Sequence, residues 1–191
     1  MINFSEAEHF IIEKLKHGLS KELTYHSFNH TMDVLNSALI IAQAENISTD
    51  EVKFLRIGVL LHDSGFLFTY KNHEEKSCAW AKEILPPFGF DETSIEKICA
   101  LIMATKIPQR PNSILEKIIG DADLDYLGRE DYYTIANNLF KELNSLGLIN
   151  INEWNKIQYT FLIDHTYHTT YSSNNREKIK QKRITELAKL I

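Results

Sequence analysis

Several residues of the types that hold divalent cations sit at the ends of apolar helical runs. His62 and Asp63 follow Val59-Leu60-Leu61 directly, His30 opens a run through Val34, Ala38 and Ile41, and Asp121 and Asp123 close the run Ile118-Ile119-Gly120. A buried carboxylate costs on the order of several kcal/mol unless it is paired or coordinated, so an acid placed directly after a core-forming run needs a partner, and a metal supplies one. Imidazole and carboxylate donors suit a borderline-to-hard divalent ion such as Mn²⁺, Mg²⁺, Ni²⁺, Fe²⁺ or Zn²⁺. Four such ligands leave open positions on a six-coordinate ion, where water and a substrate oxygen can bind, so the arrangement is hydrolytic in character.

Helical spacing decides which of these side chains can converge. Val34, Ala38 and Ile41 lie four, eight and eleven residues after His30, which puts His30 on the inward face of its helix. Val52, Leu55 and Val59 form the next stripe, and His62 and Asp63 continue it toward the same core. At about 100° per residue Asp121 and Asp123 point roughly 200° apart, so one of them, and not both, faces a given ion; spacing leaves open which. His73 is joined to the His-Asp pair by a short loop and reads either as a general acid folded back over the site or as a plain helix N-terminal residue. Arg56 either pairs with an acid or meets an anionic substrate. Lys106 and Arg110 lie on a loop broken by Pro108 and Pro111, where they either recognise phosphate or are simply solvated. His9 and His17 read as exposed helix histidines, and His165 and His168, three apart, as surface or capping residues.

The elements that would carry these residues are helices throughout. Capping-box spacings at Ser5/Glu8, Ser48/Glu51, Asn72/Glu75 and Ser113/Glu116 predict four helix starts, the first helix running from Glu6 to about Lys21. Ser27 or Asn29 starts a helix through about Glu45, and Asp91 or Thr93 starts one through Met103. Gly65 suits a C-terminal cap. Past Arg129 two or three further helices follow, the last over Ile179 to Ile191, where Lys178, Lys180, Lys182 and Arg183 read as a solvated face. No strand pattern, repeat or linker interrupts the chain, so the reading is all-α and a single domain over residues 1–191.

Composition sets the outer bounds. Hydrophobic residues make up 43% of the 191 and charged residues 25%, ordinary values for a chain with a sizeable core. A net charge of −5 excludes a global basic field for a nucleic-acid polymer. No apolar run approaches the roughly 18 residues of a membrane span, and the N-terminus has no signal-type apolar segment. Cys78 and Cys99 lie in apolar helical patterns and read as small core residues in a reducing cytoplasm.

A histidine, then His-Asp, then a distant aspartate is an ordered pattern that resembles the HD-domain superfamily of metal-dependent phosphohydrolases. Tyr25-His26-Ser27-Phe28-Asn29-His30-Thr31 resembles the segment of its first histidine, and Leu60-Leu61-His62-Asp63-Ser64-Gly65 its signature doublet. The resemblance implies a helical bundle of the HD type, with a core over about 26–128 and a C-terminal helical extension over about 129–191. It implies one divalent ion on His30, His62, Asp63 and the second acid of the Asp-x-Asp segment, Asp123. The activity implied is hydrolysis of a nucleotide or other small phosphate ester by attack of metal-bound hydroxide. Asp63 and His73 would then be catalytic, and His26, Arg56, Lys106 and Arg110 would face the substrate. A nucleotide-sensing or regulatory domain that turns nothing over is the alternative. Phe66 stands where the deoxynucleotide 5'-nucleotidases of the family carry Glu, and Thr105 and Lys106 where its cyclic-di-GMP branch supplies further histidines, so a second metal is not expected.

Overall fold

The first helix starts two residues earlier than its Ser5/Glu8 spacing predicts. In the computed structural model, which describes residues 1–191, Asn3 caps helix α1 (Phe4–Gly18) by accepting from the Glu6 amide at 3.3 Å. Glu8 is drawn away to Arg56, so no capping box closes. The next starts follow their local signals. Ser27 caps α2 (Phe28–Ala44), and α3 (Thr49–Leu61) carries the full Ser48–Glu51 capping box. Helix α4 (His73–Ile84) follows Asn72, which takes the left-handed conformation at φ 54° and gives no side-chain cap, while Glu75 pairs with Lys106 instead. Asp91, not Thr93, caps α5 (Glu92–Ala104), and Ser113 caps α6 (Ile114–Asp123). Three more helices complete the chain: α7 (Tyr132–Ser145), α8 (Ile151–Asp164) and α9 (Thr170–Leu187). The structure is all-α, with short 3-10 turns at Ser64–Leu67, Pro86–Phe88 and Asp125–Gly128. No helix is long and apolar enough to cross a membrane.

Helix α3 is the hub. Leu55, Ile57, Gly58, Val59, Leu60 and Leu61 are all buried, so the helix is apolar nearly all round, and it packs against α1, α2, α5 and α6. A Cβ on Gly58 would lie 2.8 Å from the Leu101 side chain, which shows how closely α5 approaches. Ala7, Ile11 and Leu15 of α1 join this same core. Each fully buried Leu or Ile here contributes about 1.5–3 kcal/mol relative to exposure. Cys78 and Cys99 are half-buried where α4 meets α5, each thiol set against the other's carbonyl at 3.6 and 3.8 Å.

A second, smaller core joins Tyr25, Leu124, Tyr126, Leu127, Tyr132, Ala136, Leu162 and Leu187. It seats the last three helices on the first six. Helix α9 is only in part the solvated face that its basic residues predict: Lys178 and Lys182 are exposed, but Lys180 is 2% exposed and Arg183 5%. Lys180 donates to the His165 carbonyl at 2.7 Å and pairs with Glu177, and Arg183 is held by Glu130 and Glu186, so both charges are buried with partners.

Candidate metal centre

The four residues that resemble the HD ligands arrive from three places and close on one point. His30 lies in the first turn of α2, His62 and Asp63 follow the last turn of α3, and Asp123 is the last residue of α6. His30 Nε2 is 3.1 Å from Asp123 Oδ1 and 3.5 Å from Asp63 Oδ2; His62 Nε2 is 3.2 Å from Asp63 Oδ2 and 3.5 Å from Asp123 Oδ1. Nitrogen and oxygen therefore alternate around a closed ring. Metal–ligand bonds of about 2.0–2.2 Å put neighbouring donors roughly 3.0–3.5 Å apart, and these edges match.

Two further observations fit a cation. The His62 ring bonds through Nδ1 to the Val59 carbonyl at 2.7 Å, which turns Nε2 toward the cluster. That Nε2 and Asp63 Oδ2 are both buried with no hydrogen-bond partner. Unpartnered buried polar atoms are rare, and a divalent ion satisfies both. Burial pushes the Asp63 carboxyl up, but the His62 and His73 imidazoles outweigh it and hold it well below the usual range. Asp123 is likewise brought down to about 2 by His30 and His62 against the cost of burial.

The local fold explains why the doublet is presented this way. Ser77 on α4 accepts from the Gly65 amide at 2.7 Å and donates to the His62 carbonyl at 2.9 Å, tying the turn to α4. Gly65 is not a left-handed cap: a Cβ there would lie 2.0 Å from the His73 carbonyl oxygen, so glycine is required for the start of α4 to pack against the doublet. That contact returns His73 to the site, where its Nε2 is 3.4 Å from Asp63 Oδ1 and 3.6 Å from Glu74 Oε1. Burial lowers the His73 pKa, and the Asp63 and Glu74 carboxylates more than reverse it, leaving the ring more basic than a free histidine. Phe66 stacks on His26 and on His73 with centroids 4.2 Å from each, while the two imidazoles are 6.0 Å apart.

No family model and no curated protein matches the chain. Three solved structures do. A predicted HD superfamily hydrolase from an uncultured Thermotogales bacterium, known from a crystal structure, aligns over 97% of this chain and 87% of its own at 23% identity, TM-score 0.58. The chain has the HD fold. A Lactobacillus plantarum protein matches over 100% and 97% of the two chains at 13% identity with a TM-score of 0.72, and Bacillus subtilis YpgQ, in complex with ADP, over 97% of each at 18% identity with a TM-score of 0.61.

Within this HD fold the acids of the Asp121–Asp125 segment divide their work. Asp121 accepts from the His168 and Thr169 amides, both at 2.8 Å, and from the Thr169 hydroxyl at 2.6 Å, so it anchors the entry to α9 and takes no part in the cluster. Asp123 faces the cluster. Asp125 accepts from Arg176 Nε at 2.7 Å and from the Ser37 hydroxyl at 3.2 Å, joining α9 to α2.

Of the basic residues expected at the substrate, Arg56 is elsewhere. It clamps Glu8 through Nε at 2.8 Å and Nη2 at 2.6 Å and lines none of the cavity at the cluster, because α1 packs on α3 and offers it a carboxylate first. Lys106 pairs with Glu75 at the surface and Arg110 is exposed; neither lines that cavity. His26 does line it. A residue beside the site that the sequence pattern left unmarked is Glu142 of α7, 1% exposed. Its carboxylate accepts from the Tyr25 amide at 2.8 Å, the His26 amide at 3.1 Å, the His26 ring and the Tyr70 hydroxyl at 3.0 Å. The available signal was an acid seven residues after Ile135 and three after Leu139, on the apolar stripe of its helix.

Proposed function

We propose that the chain is a divalent-metal-dependent phosphohydrolase acting on a small phosphate ester, with one ion held by His30, His62, Asp63 and Asp123. The observation that carries this reading is the alternating ring of two imidazole nitrogens and two carboxylate oxygens, two of its atoms buried and unpartnered, at the wall of an open cavity of about 290 Å³. A divalent ion bound there supplies a Lewis acid for a phosphoryl oxygen and acidifies water.

The protein groups do the rest. Asp63 and Asp123 line the cavity and turn one oxygen each to the cluster. Asp63 offers its other oxygen to His73 and raises the basicity of that ring. In the hydrolysis, the ester P–O bond breaks as a water oxygen bonds to phosphorus; His73 passes its proton to the departing alkoxide, and the water's proton restores the imidazolium. His26, fixed through its ring by Glu142, lines the same cavity beside the cluster. Phe66, against both imidazoles, keeps the spacing between them.

Metal analysis of the purified chain, with Asp63→Ala as control, and a panel of phosphate esters with Mn²⁺, Mg²⁺ or Ni²⁺ test the reading. We expect about one metal equivalent and turnover in the wild type, and loss of both in Asp63→Ala with helical circular dichroism retained. Full turnover by a metal-free Asp63→Ala protein sinks it. Metal binding and nucleotide binding without turnover give the sensor reading instead.

A further inference from the structure

The cavity at the cluster is two-sided. One end carries Asp63, Asp123, His26, His73 and Glu74; the other is built from the second core and from α7 and α8, with Tyr126, Tyr132, Ala136, Leu139, Trp154 and Phe161 among its walls. No lysine or arginine lines either end. Four of the five arginines are spent on other acids: Arg56 on Glu8, Arg129 on Asp33 and Asp131, Arg176 on Asp125, and Arg183 on Glu130 and Glu186. The remaining one, Arg110, is exposed outside the cavity.

Phosphate groups beyond the first need their charge met, ordinarily by Arg, Lys or a second cation. Here the carboxylates of Asp63 and Asp123 already offset one divalent ion, and Glu74 adds a further negative charge on the wall. The far end, by contrast, rewards a flat, uncharged group with aromatic and apolar contact. Its one amide is Gln158, buried on the wall with Oε1 accepting from the Tyr132 hydroxyl at 3.0 Å; that bond orients the carboxamide and leaves its NH₂ without a protein acceptor.

We propose that this cavity selects a phosphate monoester bearing a flat, uncharged ring, with the single phosphate at the cluster and the ring in the α7–α8 chamber, and that it discriminates against nucleoside di- and triphosphates. The assignment rests on the phosphohydrolase reading for which end holds the phosphate. The chamber's preference is a binding property, so it is measured apart from turnover.

The test is calorimetry on the full chain loaded with Mn²⁺, using phosphonates that resist hydrolysis: 1-naphthylmethylphosphonate, the 5'-phosphonate analogue of AMP, 2,3-dihydroxypropylphosphonate and the methylene-bridged analogue of ATP. The two ring-bearing monophosphonates are expected to bind at least ten-fold more tightly than the dihydroxypropyl compound, and the ATP analogue at least ten-fold more weakly than the AMP analogue. The naphthyl and AMP compounds between them tell a purely apolar ring from one whose edge uses Gln158. Ala136→Leu, which fills the chamber, and Trp154→Ala, which removes a half-buried wall, should each cut the ring preference several-fold. Equal affinity for the dihydroxypropyl and naphthyl compounds, or an ATP analogue binding as tightly as the AMP analogue, overturns the proposal. The expected affinity order with no turnover of any ester removes the hydrolase reading and leaves the selectivity standing.

Discussion

Glu142 and His26 lie 116 residues apart in sequence, yet one carboxylate of α7 accepts from both the backbone amide and the ring of that histidine. Through this contact the last third of the chain reaches the candidate metal site formed by the first two thirds. Burial pushes the Glu142 carboxyl up, and its bonds to His26 and Tyr25 more than compensate, so it stays ionised. Glu142→Gln keeps the size but leaves donors of Tyr25, His26 and Tyr70 competing for one oxygen. A loss of about 1–3 kcal/mol in denaturant unfolding is expected, together with at least a ten-fold fall in kcat and a shifted pH profile for ester hydrolysis. An unchanged pH profile would reduce Glu142 to a purely structural role.

Asp121 and Asp123 stand two residues apart and should fail in different ways. Asp123→Asn is expected to lower metal content and metal-induced thermal stabilisation while the apo protein keeps its Tm within a few degrees. Asp121→Asn gives up part of an anchor with three donors, so its apo stability should fall by about 1–3 kcal/mol with metal stoichiometry unchanged. Metal content by emission spectroscopy beside urea unfolding separates the two.

Gly65→Ala places a methyl group where the His73 carbonyl already is. The start of α4 must move, and overpacking of this kind costs about 1–3 kcal/mol or more. Because His73 moves with it, the ester hydrolysis rate should fall further than stability does. A Tm within a degree of wild type would show that the turn relaxes freely.

His165 gives the pH dependence of stability. Burial, with Lys180 and His168 nearby, lowers its pKa to about 3, well under the unfolded value of about 6.5. A depressed histidine pKa means that the unfolded chain takes up the proton first. Stability is therefore full above about pH 6.5 and falls as pH drops toward 3, at a slope on the order of 1.4 kcal/mol per unit at most. Between pH 4 and 6.5, His165→Gln should lose Tm less steeply than wild type. Parallel curves would exclude His165 as the source.

Local chemistry was legible in the sequence wherever a signal closes within one helical turn. The Ser48–Glu51 box, the Ser27 and Ser113 caps, the inward stripe of His30 and the placement of His62-Asp63 at a helix end all depend on neighbours three or four residues away. That is the range over which side-chain spacing alone sets contact. What depended on competition between distant elements was decided only by the tertiary structure. Glu8 had a local role as a capping residue and was taken by Arg56 on α3; Glu75 had one and was taken by Lys106. The choice of Asp123 over Asp121, which spacing left open, followed from His168 and Thr169, at the entry to α9, offering Asp121 two amides and a hydroxyl. The sequence by itself determined an all-α chain with its metal-ligand types at helix ends. The packing of α7 to α9 decided which acid faces the candidate metal cluster, which histidine is braced, and that the cavity beside it is aromatic and free of basic side chains, because those contacts join residues tens to more than a hundred positions apart and no periodicity carries over such a distance.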